Sequence, residues 1–166
     1  MNKLYFCLYC IFLPTLLTQA GCASNPPMAV IQREVCPPNS YCEYHPNGRL
    51  ELVAPLNNNG KWEGIVKSYD LYSRLYKESP FRNDKQEGLT KNYDESGALR
   101  QETPFRNGKV EGQMKAYLKD GKLHSTITYR NDSPVSGVCN NRSRTPWTRA
   151  ELANWANGIT VNCPLP

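Results

Sequence analysis

The sequence predicts a mainly β protein: an antiparallel meander of repeated β-hairpins forming a single-layer sheet, closed by a short C-terminal helical cap. Three observations predict it. The first is punctuation: a turn motif and a closing glycine return through the tract 44–137, with Gly64, Gly88, Gly112 and Gly137 spaced by 24, 24 and 25 residues. Self-similarity at a fixed period marks a repeat architecture. The second is an apolar–polar alternation of period two between the turns, which is the strand period. The third is a helix-start signal, Thr148-Arg149-Ala150-Glu151, placed after the last repeat.

Residues 1–21 read as a secretory signal. Lys3 opens the segment, residues 4–13 form a short apolar core, and small residues lead to Cys22. The apolar run is short for a membrane span. Ala20-Gly21-Cys22 resembles the lipobox of bacterial lipoproteins, with Gln19 where an aliphatic residue is usual. That resemblance implies lipidation of Cys22 and a membrane anchor facing the periplasm or cell surface. The alternative is ordinary cleavage near Ala20, which leaves a soluble secreted or periplasmic chain.

Residues 22–43 are expected to be a tether and a disulfide loop. Pro26-Pro27 favours extended chain. Past the leader the cysteines are Cys22, Cys36, Cys42, Cys139 and Cys163. A lipidated Cys22 leaves four, enough for two disulfides with three possible pairings. Locality favours Cys36 with Cys42 and Cys139 with Cys163. The spacings are not those of zinc-binding CxxC pairs, and an exported chain favours disulfides, so no metal is expected.

Residues 44–137 hold the repeats. The copies of the turn motif are Asn59-Gly60-Lys61-Trp62-Glu63-Gly64, Asn83-Asp84-Lys85-Gln86-Glu87-Gly88, Asn107-Gly108-Lys109-Val110-Glu111-Gly112 and a degenerate run from Asn131 to Gly137. Asn-Gly and Asn-Asp suit tight hairpins that need positive φ. A second turn in each period ends at Gly48, Ser73, Gly97 or Gly121, and Ser73 should be the least favourable of these.

The strands between turns alternate. Ile65, Lys67 and Tyr69 share a face; so do Leu75, Lys77, Ser79 and Phe81; the later copies repeat both sets. Glu78, Thr90, Glu102 and His124 are assigned to the wet face. The repeat core is expected to be an aromatic ladder of Tyr69, Phe81, Tyr93, Phe105, Tyr117 and Tyr129, with a ring packing on each closing glycine or a bulge there.

Residues 138–166 are read as the cap. Thr148 and Glu151 form a capping box, Trp147 and Leu152 a hydrophobic staple, and Gly158 suits the helix C′ position. Leu152, Trp155 and Ala156 fall on one side of the helix, which lies between Cys139 and Cys163.

Charge is mildly basic, +5 over the chain, with 20 basic residues interspersed among 15 acidic ones. No run of like charge indicates nucleic acid. No P-loop, GxSxG, HExxH or dinucleotide fingerprint occurs. His45 and His124 have no recognisable catalytic company, and Glu63, Glu87 and Glu111 recur with the repeat, which argues for a structural job such as cross-strand pairing with Lys or Arg. No catalytic residue and no cofactor are therefore assigned.

The repeats resemble the MORN variant of bacterial proteins: a tyrosine, a turn ending in glycine, a leucine, an aromatic, Asn-Gly-Lys and Glu-Gly. The best copy runs through Tyr93, Gly97, Leu99, Phe105, Asn107-Gly108-Lys109 and Glu111-Gly112. Many such proteins are described as YwqK-type antitoxins. The resemblance implies a non-enzymatic binding or scaffold module with a protein partner whose identity the sequence does not give. The alternatives are an antitoxin or immunity-type protein that neutralises a toxin, and an enzyme of unrecognised type acting on envelope glycans.

Overall fold

The computed structural model describes residues 33–140, 146–157 and 163. The leader 1–21, Cys22, the tether up to residue 32 and Gly158 lie outside the described residues. Eleven strands form one antiparallel sheet: β1 (Ser40–Tyr44), β2 (Leu50–Pro55), β3 (Gly64–Tyr69), β4 (Leu75–Arg82), β5 (Lys85–Gln86), β6 (Gly88–Tyr93), β7 (Leu99–Arg106), β8 (Lys109–Val110), β9 (Gly112–Tyr117), β10 (Leu123–Arg130) and β11 (Ser133–Cys139). Their order is β1-β2-β3-β4-β6-β7-β9-β10-β11, with the short β5 paired to β4 and β8 to β7. Every strand pairs with chain neighbours, so closing the sheet needs no long loop. A single helix among the described residues, α1 (Arg149–Ala156), follows. The predicted meander with its helical cap is the observed architecture, and the sheet reaches from Ser40 to Cys139, slightly beyond 44–137 at each end.

Register fixes the faces, because residues opposite one another on adjacent strands share a side. Val66 pairs with Ser79, Thr90 with Thr103, Met114 with Ile127, and Ile127 with Gly137. The first three of these pairs thus match an even position to an odd one. The expected single aromatic ladder is therefore split. Tyr69, Tyr93 and Tyr117 share one face, while Phe81, Phe105 and Tyr129 stand on the other. All six rings are half-buried. The buried row is a different set: Ala54, Val66, Ser79, Thr90, Thr103, Met114 and Ile127. Thr90, expected on the wet face, is only 2% exposed. We call the side with the buried row the cap face and the opposite side the ladder face.

At the first three closing glycines the bulge, not the aromatic ring, is the alternative that holds. Gly64, Gly88 and Gly112 have φ of +107°, +112° and +104°, a region that L side chains rarely adopt. Their neighbours are the rings of Pro55, Pro80 and Pro104, not aromatics. Here the chain makes an outward step. Phe81 pairs with Gln86 and Glu78 with Lys91, so two β4 residues face four from Glu87 to Thr90. This is the bulge alternative, and it lets proline stand in an interior strand.

Gly137 is not the fourth member of this series. It pairs with Ile127 as Thr90 pairs with Thr103, so it occupies the buried-row position and its φ is not positive. A Cβ there would meet the Trp147 ring, so the missing side chain makes room for the cap. Trp147 N–H donates to the Gly137 carbonyl oxygen at 2.7 Å. Met114, Ile127, Cys139 and Trp147 form the apolar core, with Tyr129, Leu152, Trp155 and Cys163 against it.

The capping box predicted at Thr148 and Glu151 is present. Trp147 and Leu152 meet in the core cluster, whereas Ala156 is exposed. The helix packs on β11, and the disulfide from Cys139 to Cys163 closes the segment that contains it. The other bridge joins Cys36 to Cys42 at β1. Both pairings are those favoured by locality.

Candidate interaction surface

The ladder face carries an ordered row of charge. Lys67, Glu78, Lys91, Glu102 and Lys115 stand opposite one another in unbroken register across β3, β4, β6, β7 and β9. Alternating signs across adjacent strands are mutually favourable, by roughly 0.2–1 kcal/mol per pair. The tyrosines flank this row. Tyr93 Oη donates to Glu78 at 2.8 Å and Tyr117 Oη donates to Glu102 at 2.7 Å. Burial, then the adjoining carboxylates, push both phenols up to about 12. On the other flank Ile65 and Leu89 lie exposed beside Pro80 and Pro104.

The acid–lysine pairing expected of Glu63, Glu87 and Glu111 thus belongs to Glu78 and Glu102. The repeated glutamates do another shared job. Their Oε2 atoms accept the backbone N–H of Asn83, Asn107 and Asn131, the first residue of the next hairpin tip, at 3.0, 2.7 and 2.8 Å. These asparagines are left-handed, with φ of 48° to 52°. Each carboxylate therefore locks one repeat to its successor. The first tip differs: only Gly60 is left-handed there, in a longer turn closed by Asn57 and Lys61.

The opposite edge holds the second set of turns. Gly48, Gly97 and Gly121 have φ near +80°, as predicted, and Ser73 adopts +62° in their place. These turns are stitched together. Asn47 Nδ2 and Arg49 donate to the Leu71 carbonyl oxygen at 3.0 and 3.4 Å, and His45 Nε2 lies 2.8 Å from that of Tyr69. Asp70 Oδ1 accepts from the N–H groups of Tyr72 and Arg74, and Asp94 Oδ1 accepts from Ser96 and Ala98. The Ser96 hydroxyl, which also donates to Asp94, holds that carboxyl below the usual carboxylate range. Between two of the turns lies a shallow depression lined by Arg74, Leu75, Tyr93 and the turn from Asp94 to Gly97.

His45 is thus a turn residue that meets backbone, with Glu51 3.7 Å from its Nδ1, and His124 is a half-buried residue of β10. Among the described residues no group of three His, Cys, Asp or Glu side chains gathers as a metal-binding cluster. None of the described helices is long and apolar enough to cross a membrane. Sequence reasoning missed the Lys–Glu row, whose signal was present: Lys67, Lys91 and Lys115 recur at 24 residues, as do Glu78 and Glu102.

The sheet of consecutive hairpins agrees with the family comparison. No curated protein matches the chain. Two successive segments, residues 86–107 and 110–131, each match the MORN repeat variant, placing that repeat on the hairpin units from Gln86 to Asn131.

Proposed function

We propose that the chain is a non-enzymatic, envelope-tethered module that uses its repeat sheet to bind a protein partner. MORN repeats are generally protein- or membrane-binding modules, and two segments that match the repeat variant lie in the C-terminal half of this sheet. The observation that carries the reading is the ladder face. It presents a register-locked charged row beside exposed Ile65 and Leu89, over strands that all pair locally. Binding surfaces of this kind need order before the partner arrives, and the glutamate locks supply it. The two disulfides indicate an oxidising compartment. Lipid on Cys22 would hold the sheet at the membrane.

Two measurements test this. Radiolabelled palmitate should enter the wild-type chain and not Cys22→Ser; equal label in both removes the anchor. Brief crosslinking in the source cells, followed by purification of the full chain, should yield a defined heterologous protein adduct. A chain recovered alone after crosslinking removes the binding role.

A further inference from the structure

The ladder face is complementary to itself. Its charged row alternates strictly, Lys67, Glu78, Lys91, Glu102 and Lys115, with one residue on each long strand from β3 to β9. All five residues are half-buried. Among the described residues the ion pairs fall elsewhere, at His45, Arg74, Arg100 and Lys122. The lysines therefore stand opposite the glutamates without closing on them. Two residues nearer the hairpin tips runs a second row. It reads Ile65, Pro80, Leu89 and Pro104, then turns polar at Gln113 and Thr128. Ile65 is 49% exposed and Leu89 41% exposed.

Symmetry decides what fits these rows. Two copies meeting through this face are related by a two-fold axis lying in the interface. An axis running across the strands sets each strand on its own copy, so lysine meets lysine. An axis running along any one strand also matches like with like. An axis along the strands and midway between neighbours brings opposite signs together at every charged contact, and leaves the strands of the two copies nearly aligned, as in packed sheets. Placed between β4 and β6, it sets Lys67 against the second copy's Glu102 and Glu78 against its Lys91, each contact occurring twice. The same axis sets Ile65 against Pro104 and Pro80 against Leu89, apolar on apolar. Moved to lie between β6 and β7, it still matches charge, but Pro80 falls on Gln113 and Ile65 on Thr128. Both rows thus select one register. The margins carry little net charge. The hairpin tip beside this axis holds Arg82 and Lys85 with Asp84 and Glu87, two of each sign. On the turn edge Asp70 and Asp94 lie with Arg74 and Arg100, leaving one acid in excess, Glu95, whose side chain is 86% exposed at the rim.

We propose that a second copy of the chain covers the ladder face, in a two-fold dimer with its axis between β4 and β6. Four strands span about 19 Å and six residues about 20 Å, so each copy covers about 400 Å², the scale of weak, transient complexes. This goes beyond the partner-binding reading: a heterologous partner that takes this face has to displace the copy.

The test is a charge exchange. Glu78→Lys alone, or Lys91→Glu alone, brings like charges together twice, and a one-to-one mixture of the two variants restores every contact. Sedimentation equilibrium of the purified full chain should give a wild-type Kd of about 10–100 µM. Either variant alone should dimerise at least about tenfold more weakly, and their mixture should regain the wild-type Kd to within about threefold. Leu89→Arg, at an exposed side chain, should weaken the dimer by about tenfold as well. Far-UV circular dichroism checks each fold; where a charge variant loses the sheet signal, Leu89→Arg and Ile65→Arg carry the test. A wild-type chain that stays monomeric up to about 1 mM, a mixture of folded variants no tighter than its components, or a Leu89→Arg chain that dimerises like wild type each overturn the dimer. None of these results bears on the heterologous partner, which crosslinking in the source cells tests separately.

Discussion

Replacing Gly137 by alanine tests the junction between sheet and cap. An added Cβ would lie 2.4 Å from Trp147 Cδ2 and Cε3 and 2.8 Å from Cγ. Those atoms are a rigid ring on a buried tryptophan, so the ring must move by roughly the 1 Å separating this approach from ordinary carbon contact near 3.5 Å. Trp147 is pinned by its backbone bond to Gly137 and by its indole N–H directed at Cys139 Sγ, 3.1 Å away. Overpacking of this kind costs about 1–3 kcal/mol, and outright loss of a buried tryptophan side chain about 3–5 kcal/mol. We therefore expect Gly137→Ala to lower unfolding stability by about 2–3 kcal/mol and Trp147→Ala by about 3–4 kcal/mol. The two act through one contact. With Trp147 removed, Gly137→Ala should cost less than about 1 kcal/mol, giving a coupling near 2 kcal/mol in a double-mutant cycle. Urea unfolding of the oxidised chain, followed by circular dichroism, measures all four corners. Additive losses would refute the close packing, and would favour a backbone role for Gly137 like that of Gly88.

Ser73→Gly relieves the left-handed serine and should stabilise the fold by about 1 kcal/mol, raising Tm by about 4 °C after the lost Ser73–Glu34 bond is allowed for; a lower Tm would contradict the strain. Tyr93 and Tyr117 keep their protons to about 12 in the fold against 10 unfolded, so their contribution is complete below pH 10 and is lost as pH climbs to 12. The stability profile of Tyr93→Phe should be flatter in that window, and absorbance at 295 nm should show the late titration. Opening the loop between Cys139 and Cys163, 24 residues apart, with Cys163→Ser should cost about 3 kcal/mol and red-shift tryptophan emission as the cap loosens; unchanged emission would mean that Trp147 and Trp155 hold without the bridge.

Period, turn chemistry and the helix start were legible because each is local. Asn-Gly and Asn-Asp turns announce positive φ, and a capping box needs only four residues. Face assignment was not legible. The alternation within β3 and within β4 is plain, but which set shares a side depends on the register across the turn, where a bulge lies between Ser68 and Tyr69. The step at Glu87 and Gly88 likewise adds two residues that period counting cannot see. Gly137 misled for the same reason: its 25-residue spacing resembles the repeat, yet the smaller bulge between Thr128 and Tyr129 moves it into the buried row. The glutamate locks join residues 20 positions apart and use backbone N–H groups, which no side-chain pattern displays.

The buried row changes character along the sheet, and this explains where the bridges fall. At its centre it is Ser79, Thr90 and Thr103, small and polar side chains. Gln86 donates to Thr90 and Gln101 to Thr103, whereas Ser79 Oγ has no hydrogen-bond partner among the described residues. Such a row contributes little by apolar transfer, so the central hairpins depend on ladder bonds, glutamate locks and neighbours on both sides. A terminal strand has one neighbour only. At β11 the missing side is supplied by Trp147 and the cap, covalently closed through Cys139; at β1 the bridge from Cys36 to Cys42 ties down the strand's own approach. Cross-links at the two ends of the strand order, with polar repeats between them, are what a one-dimensional sheet requires when its interior copies can lean on one another and its outermost copies cannot.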